Sequence, residues 1–397
     1  MTTHTPASPV DALRNGTTLE HCVVTGLIGQ GGFGVVYLAR DSHNNRTVAV
    51  KEFLPKAVAG RIANGHIVPI NADMAHAYDS GLKGFLREAH LLSEFAHPAL
   101  VAVHRVWEQN GTAYMAMQYY PGKTLREVRL RDRNRPAEAQ IQAWMSPVFD
   151  AVGELHAHRV IHRDISPDNI LVMASGDTVL LDLGAARQVL GGMTQALTTI
   201  LKPGFAPIEQ YVQDGSMEQG RWTDVYGLGA VIYFLVTGQP PTPATTRIVR
   251  DSLPPLTALA PREHYSPVFF AAVAKALSLR AIDRFKSVGE FRAALGWAMQ
   301  QRAAPVPTER TTTLEPLTVA QLAAVNTLPI NAPQRKSAAS NASPAGQAPV
   351  KTVEESMAAL RRGKATTYEA PSRSGTKLLV ALVITIVAAV ALAFALR

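Results

Sequence analysis

Cysteine is nearly absent: the 397 residues hold one, Cys22. An intramolecular disulfide is thereby excluded, and the chain suits a reducing compartment. An apolar core of the kind a secretory leader needs is lacking from residues 1–18 as well; they are polar and read as a disordered N-terminus. From about Gln301 aromatic residues become scarce and Ala, Pro, Thr, Ser, Gln and Asn dominate. That composition cannot bury enough apolar surface to offset chain entropy, so 301–376 reads as a flexible linker, with a short helix expected around Thr352 to Arg362. Positive charge is missing from the place where a nucleic-acid site would need it. Of a net charge of +8, residues 301–397 hold 11 Lys/Arg against 5 Asp/Glu, which leaves 28 against 26 in the first 300 residues. The basicity belongs to a tail that suits an anionic membrane surface, and no nucleic-acid partner is expected.

What the tail does have is one long apolar run. Leu378 to Leu396 contains a single polar residue, Thr385. Nineteen residues at about 1.5 Å each come close to the ~30 Å hydrocarbon core, so 377–397 reads as a transmembrane helix. Arg361, Arg362, Lys364, Arg373 and Lys377 crowd its N-terminal side and only Arg397 follows it. The positive-inside rule then expects a single-pass protein of the inner (cytoplasmic) membrane, with the bulk of the chain in the cytoplasm.

Chemistry is concentrated earlier. His162-Arg163-Asp164 is followed five residues later by Asn169. That spacing lets Asp164 face a substrate hydroxyl and accept its proton, while Asn169 returns on the same loop to hold a metal ion. Upstream, Gly29-Gln30-Gly31-Gly32-Phe33-Gly34 lies between two strand-like runs, Cys22 to Ile28 and Val35 to Ala39. A strand after the glycines, rather than a helix, disfavours a dinucleotide site and favours a hairpin flap over nucleotide phosphates. Val48-Ala49-Val50-Lys51 then supplies a strand with one lysine, the expected cation for the α- and β-phosphates. Glu88 is its expected carboxylate partner, on a helix-like segment from Gly84 to Phe95. Val179 to Leu181 reads as a buried strand ending in Asp182-Leu183-Gly184, and Asp182 with Asn169 would satisfy Mg²⁺, which takes few protein ligands.

These motifs, in this order, resemble a bacterial Ser/Thr protein kinase of the eukaryotic-like (Hanks) type over roughly residues 20 to 300. Pro207-Ile208-Glu209 stands where that family has Ala-Pro-Glu, Trp222 to Gly229 matches the start of its large-lobe helix, and Asp283-Arg284-Phe285 supplies a late arginine. The resemblance implies an α+β, two-lobed fold over 19–300: a small antiparallel β lobe with one helix above a larger helical lobe. It also implies ATP and Mg²⁺ as cofactors (with Mn²⁺ able to substitute), protein substrates, and a cleft between the lobes. The hinge would be Met117 to Gly122, with Met117 as gatekeeper and backbone groups near Gln118 to Tyr120 meeting the adenine, which Val36, Ala49 and Leu171 would sandwich. Gly29, Gly31 and Gly34 would cover the phosphates. His162, Arg163, Asp224 and the pair Glu209 and Arg284 would be structural or regulatory.

Two positions depart from the family. Ser166 stands where most members carry a catalytic-loop lysine, and Lys202 where they carry a threonine. The reading adopted is a swap in which Lys202 restores the missing cation. Its rival is that Lys202 is surface charge on a slow or dead enzyme. Arg163 and the hydroxyls of Thr194, Thr198 and Thr199 suggest an activation segment that is autophosphorylated and ordered by phosphate. Thr311 to Thr313, Thr366 and Thr367 read first as solvated linker residues; the alternative is that they are docking phosphosites for a phosphothreonine-binding partner. Between Glu52 and Gly81 the connection is longer than the family needs and reads as an added hairpin around Gly60, Gly65 and Ile67 to Ile70. The alternatives are a pseudokinase scaffold, which Ser166 keeps open, and a small-molecule phosphotransferase, which the long segment ending at Glu209 disfavours.

Overall fold

A computed structural model of the chain describes residues 12–132, 134–184, 201–212 and 216–297. β-branched and aromatic runs build the first lobe: β1 (Thr18–Leu19), β2 (Cys22–Gln30), β3 (Gly34–Asp41), β4 (Arg46–Phe53), β7 (Val103–Gln109) and β8 (Thr112–Gln118). They form one antiparallel sheet in the order β1-β2-β3-β4-β8-β7. The turn between β2 and β3 is the glycine segment, and it is tied to the chain after β4 by Leu54 N to Phe33 O (3.0 Å) and Lys56 N to Gly32 O (3.1 Å). A Cβ on Gly34 would lie 2.2 Å from Glu52 O, so that position admits no side chain.

The expected hairpin is present as β5 (Ala59–Arg61) paired with β6 (Ile67–Pro69), with Gly65 in the turn at φ +87°. It explains why β8 is buried from Thr112 through Met117, although an antiparallel strand commonly keeps one face wet. On one face α1 (Ala75–Glu94) covers the sheet, with the Phe53 ring packed between those of Tyr78 and Phe85, tilted and 5.6 Å from each. On the other face Glu52, fully buried, accepts hydrogen bonds from Tyr37 Oη (2.8 Å), Tyr114 Oη (2.7 Å) and Arg61 Nη2 (2.5 Å). Burial and the adjacent Glu52 charge push both tyrosine pKa values up. Burial alone would lower that of Arg61, but the bond to Glu52, the Glu52 charge and the two tyrosines together outweigh this and raise it.

Two expectations need correction. The helix read from Gly84 begins nine residues earlier, at Ala75. Asn71 Oδ1 caps Met74 N at 3.0 Å, and Gly81 and Gly84 both lie on the buried face. Tertiary packing there outweighs the roughly 1 kcal/mol that each glycine costs a helix. Residues 12–18, read as part of a disordered N-terminus, are instead tied to the sheet. Leu13 N donates to Tyr37 Oη (3.1 Å) and Gly16 N to Val24 O (2.8 Å). Pairing of this kind engages only the backbone N–H groups of the segment, so its own side chains carry no signal of it.

The second lobe is mainly helical, with α2 (Leu125–Arg131) and α3 (Glu138–Ala157) leading into it. At its centre the helix Arg221–Thr237 is buried continuously from Thr223 to Val236, as expected of a helix apolar on all sides. Helices Pro267–Ala276 and Val288–Ala294 pack around it, and Trp297 closes against Phe149 at 5.5 Å. A small sheet, β9 (Gly122–Thr124), β10 (Ile170–Met173) and β11 (Thr178–Leu180), runs in the order β11-β10-β9. The stretch after α1 joins it through Leu180 N to Ala99 O (2.8 Å) and Val101 N to Leu180 O (3.0 Å). Among the described residues no helix is long and apolar enough to cross a membrane. The linker 301–376, the helix expected near Thr352 and the run Leu378 to Leu396 lie outside the described residues.

Candidate active site

The loop 162–169 is aimed by one buried carboxylate. Asp224, at the start of the helix Arg221–Thr237, accepts the backbone N–H groups of His162 and Arg163, both at 2.8 Å, and His156 Nε2 at 2.7 Å. Burial alone would raise the pKa of Asp224, but the His156 hydrogen bond, the neighbouring histidines and the Arg163 amide together hold it below the ordinary value. Arg163 adopts φ +68°, a left-handed conformation that costs a non-glycine residue on the order of 1–2 kcal/mol. Burial keeps His162 neutral by lowering its pKa. Its Nε2–H donates to Leu181 O (2.9 Å) while Nδ1 accepts from Asp164 N (3.3 Å). That ring therefore ties the loop to the strand leading to Asp182.

Asp164, Asn169 and Asp182 come together around this frame. Asn169 Nδ2 donates to Asp164 O (2.8 Å) and to Asp164 Oδ2. Leu181 N donates to Asn169 O (2.8 Å), and Gly184 N to His162 O (3.0 Å). A Cβ on Gly184 would sit 3.3 Å from that of Asp164, so the turn after Asp182 approaches the catalytic loop closely. Asp182 itself has φ +36°. Lys51, on β4, reaches across with Nζ 2.8 Å from Asp182 Oδ1 and 3.7 Å from Glu88 Oε1. Glu88 is buried on α1, so the lysine and its expected carboxylate meet as read from the sequence.

The residues expected around a nucleotide occupy both lobes. Val36 and Ala49 lie on β3 and β4, Met117 and Gln118 end β8, and Leu171 is on β10 opposite Thr124 and Val179. Gln118 N is bonded to Ala102 O (2.8 Å) and Tyr120 O accepts Gly122 N (2.9 Å). A Cβ at Gly29 or Gly31 would meet nothing within 4 Å, in contrast to Gly34. Two glycines thus leave open space at the flap, and the third is needed for its packing. The donor set fits Mg²⁺: Asn169 Oδ1 and the Asp182 carboxylate are hard oxygens.

The end of the activation segment is anchored. Arg284 forks onto Glu209, Nη1 to Oε1 at 2.6 Å and Nη2 to Oε2 at 3.1 Å, with both side chains buried. Thr223 Oγ1 donates to the same carboxylate (3.0 Å), and Gln210 Nε2 donates to Arg163 O (2.8 Å). Lys202 Nζ donates to Ser166 Oγ (2.7 Å) and Asn169 Oδ1 (3.0 Å) and lies 3.7 Å from Asp164 Oδ2. Thr194, Thr198 and Thr199 lie outside the described residues.

Sequence reasoning missed three interactions. His156 supports Asp224 from the last turn of α3, and the only sequence signal is its place six residues before His162. Arg126 Nε bonds Asp168 Oδ1 (2.7 Å), inside the loop motif, and its guanidinium lies over the Phe234 ring at 5.1 Å. Arg61 and Glu52 are the third case, and nothing local marks them as partners.

Comparison with known proteins agrees with this geometry. The family model for the protein kinase domain matches residues 22–266. The serine/threonine-protein kinase PknB of Mycobacterium leprae is 30% identical over 282 residues, covering 68% of this chain and 41% of PknB. PknD of Chlamydia muridarum is 28% identical over 305 residues, covering 68% of this chain and 30% of PknD. The chain thus spans less than half the length of these curated relatives. A solved structure, the apo form of PpkA-294, is 40% identical with a TM-score of 0.66, covering 72% of this chain and 99% of that one. With a family model spanning more than half its length and these motifs folded into one cleft, the chain belongs to the protein kinase family.

Proposed function

We propose that the protein is a membrane-tethered serine/threonine protein kinase that transfers the γ-phosphoryl group of ATP to Ser or Thr hydroxyls of protein substrates. The observation that carries this reading is the convergence of Lys51, Asp164, Asn169 and Asp182 around one cleft. Asp164, held by Asn169 Nδ2, orients the acceptor hydroxyl and takes its proton as the new O–P bond forms and ADP leaves. Lys51, steadied by Glu88, clamps the α- and β-phosphates. Asn169 and Asp182 would hold Mg²⁺, which when bound supplies charge neutralisation at the phosphates.

The tether is Leu378 to Leu396, with the kinase on the cytoplasmic side; the apolar run and the basic residues before it support that reading. Autophosphorylation at Thr194, Thr198 or Thr199 is supported by Arg163, which carries the charge a phosphate would pair with. Phosphorylated Thr311 to Thr313 or Thr366 and Thr367 would recruit a phosphothreonine-binding partner. The test is incubation of the full chain with radiolabelled ATP, Mg²⁺ and a protein substrate beside Asp164→Asn. Label on Ser or Thr from wild type alone is expected. A wild-type chain that binds nucleotide and transfers none would instead favour the scaffold reading that Ser166 raises.

A further inference from the structure

Ser166 leaves the catalytic loop without a cation at that position, and it is completely buried. A long basic side chain from 36 residues downstream arrives at the same spot: Lys202 Nζ donates to Ser166 Oγ at 2.7 Å and to Asn169 Oδ1 at 3.0 Å. It also stands 3.7 Å from Asp164 Oδ2. The ammonium therefore sits between the carboxylate that faces the acceptor hydroxyl and the amide that faces the metal. A lysine serving only solubility would point to water, yet this side chain is only 25% exposed.

The backbone behind it is built to hold that aim. Phe205 N and Ala206 N both donate to Lys202 O, at 3.1 and 3.2 Å. Gly204 makes the turn at φ +87°, where a Cβ would lie 2.5 Å from Pro241 O. Phe205 is buried, with its ring centroid 6.2 Å from that of Phe234 on the central helix. Only glycine fits that close, left-handed position, so the turn that projects Lys202 seats closely on the large lobe.

We propose that Lys202 is the catalytic cation directed at the phosphoryl group in flight, supplied by the activation segment in place of the catalytic loop. The proposal rests on the kinase reading above. Phosphoryl transfer spreads negative charge over three oxygens, and a preorganised cation placed there stabilises the transition state more than the bound nucleotide. A consequence follows for control: seating the turn 201–206 and completing the catalytic charge set become one event. Whatever seats or unseats this turn switches transfer without having to touch the nucleotide clamp.

The test compares wild type, Lys202→Met and the double variant Ser166→Lys/Lys202→Thr, all as full chains with matched thermal midpoints. Single-turnover transfer from ATP with Mg²⁺ is measured beside the affinities for ADP and for a non-hydrolysable ATP analogue. Lys202→Met should lose on the order of a hundredfold in transfer, keep its ADP affinity, and lose preference for the analogue over ADP. The double variant, which returns the cation to the loop, should regain most of the rate. Transfer by Lys202→Met at the wild-type rate would overturn the proposal, as would a folded double variant that regains nothing. Failure of the kinase reading looks different: wild type would transfer nothing, while the analogue-to-ADP preference would still judge Lys202.

Discussion

Two lysines reach the phosphate site from opposite kinds of backbone. Lys51 sits inside β4, laddered to Val36 on one side and Met115 on the other. It could not be withdrawn without unzipping the middle of the sheet. Lys202 sits at the edge of a turn, fixed by side-chain bonds, one glycine and a buried Phe205. Segments of that kind open locally at far lower cost than a central strand. The contrast assigns nucleotide binding to a permanent part of the fold and transfer to a conditional one.

The largest break in that comparison is Lys51→Met. It removes the partner of both Asp182 and Glu88, and it should cut transfer about a thousandfold while also weakening ADP binding, which isothermal titration would read. Next comes Arg284→Ala. Glu209 would be left buried without its cation, at a cost of about 3–5 kcal/mol in a denaturant titration. Because Glu209 anchors the segment that carries Lys202, the surviving folded protein should transfer slowly yet still bind ADP.

Arg61→Ala is the matching change beside Lys51. Glu52 would keep Tyr37 and Tyr114 but lose its charge partner, so a loss of about 2 kcal/mol is expected. Transfer per folded molecule should be nearly unchanged, because the β4 ladder still holds Lys51.

Acid supplies the smallest and most graded effect. His162 has its pKa lowered by burial, so its contribution is complete above 6.5 and is lost as pH falls below that value, where the unfolded chain takes up a proton the folded one refuses. Asp224 has a lowered pKa, so its contribution is present above 3.8 and is lost as pH falls through its folded value. Both therefore act in the same direction, and thermal midpoints should decline from pH 6.5 downward. Replacing His162 should flatten the upper part of that decline.

Much of the site was legible because its parts are local. His162 to Asn169, Gly29 to Gly34, Lys51 and Asp182 are recognisable from short spacings, and the structure brings Lys51 to Asp182 and Asn169 to Asp164. Ser166 and Lys202 were legible as a pair of departures, each conspicuous only because the other elements fit. The Glu209 and Arg284 pairing, 75 residues apart, came from the family resemblance and not from any physical signal in the chain. Glu52 was not legible: beside Lys51 on a strand it looks like a solvated charge, and its burial depends on a hairpin that closes over the opposite face. The start of α1 was misread because Gly81 and Gly84 look like helix breakers until the surface they pack against is known.

The measurement that bears most directly on the division between the two lysines is ADP affinity set beside single-turnover transfer in Lys51→Met and Lys202→Met. The account predicts that Lys51→Met loses both and that Lys202→Met loses transfer alone. Parallel losses in the two variants, or a Lys202→Met protein that binds ADP poorly, would contradict it.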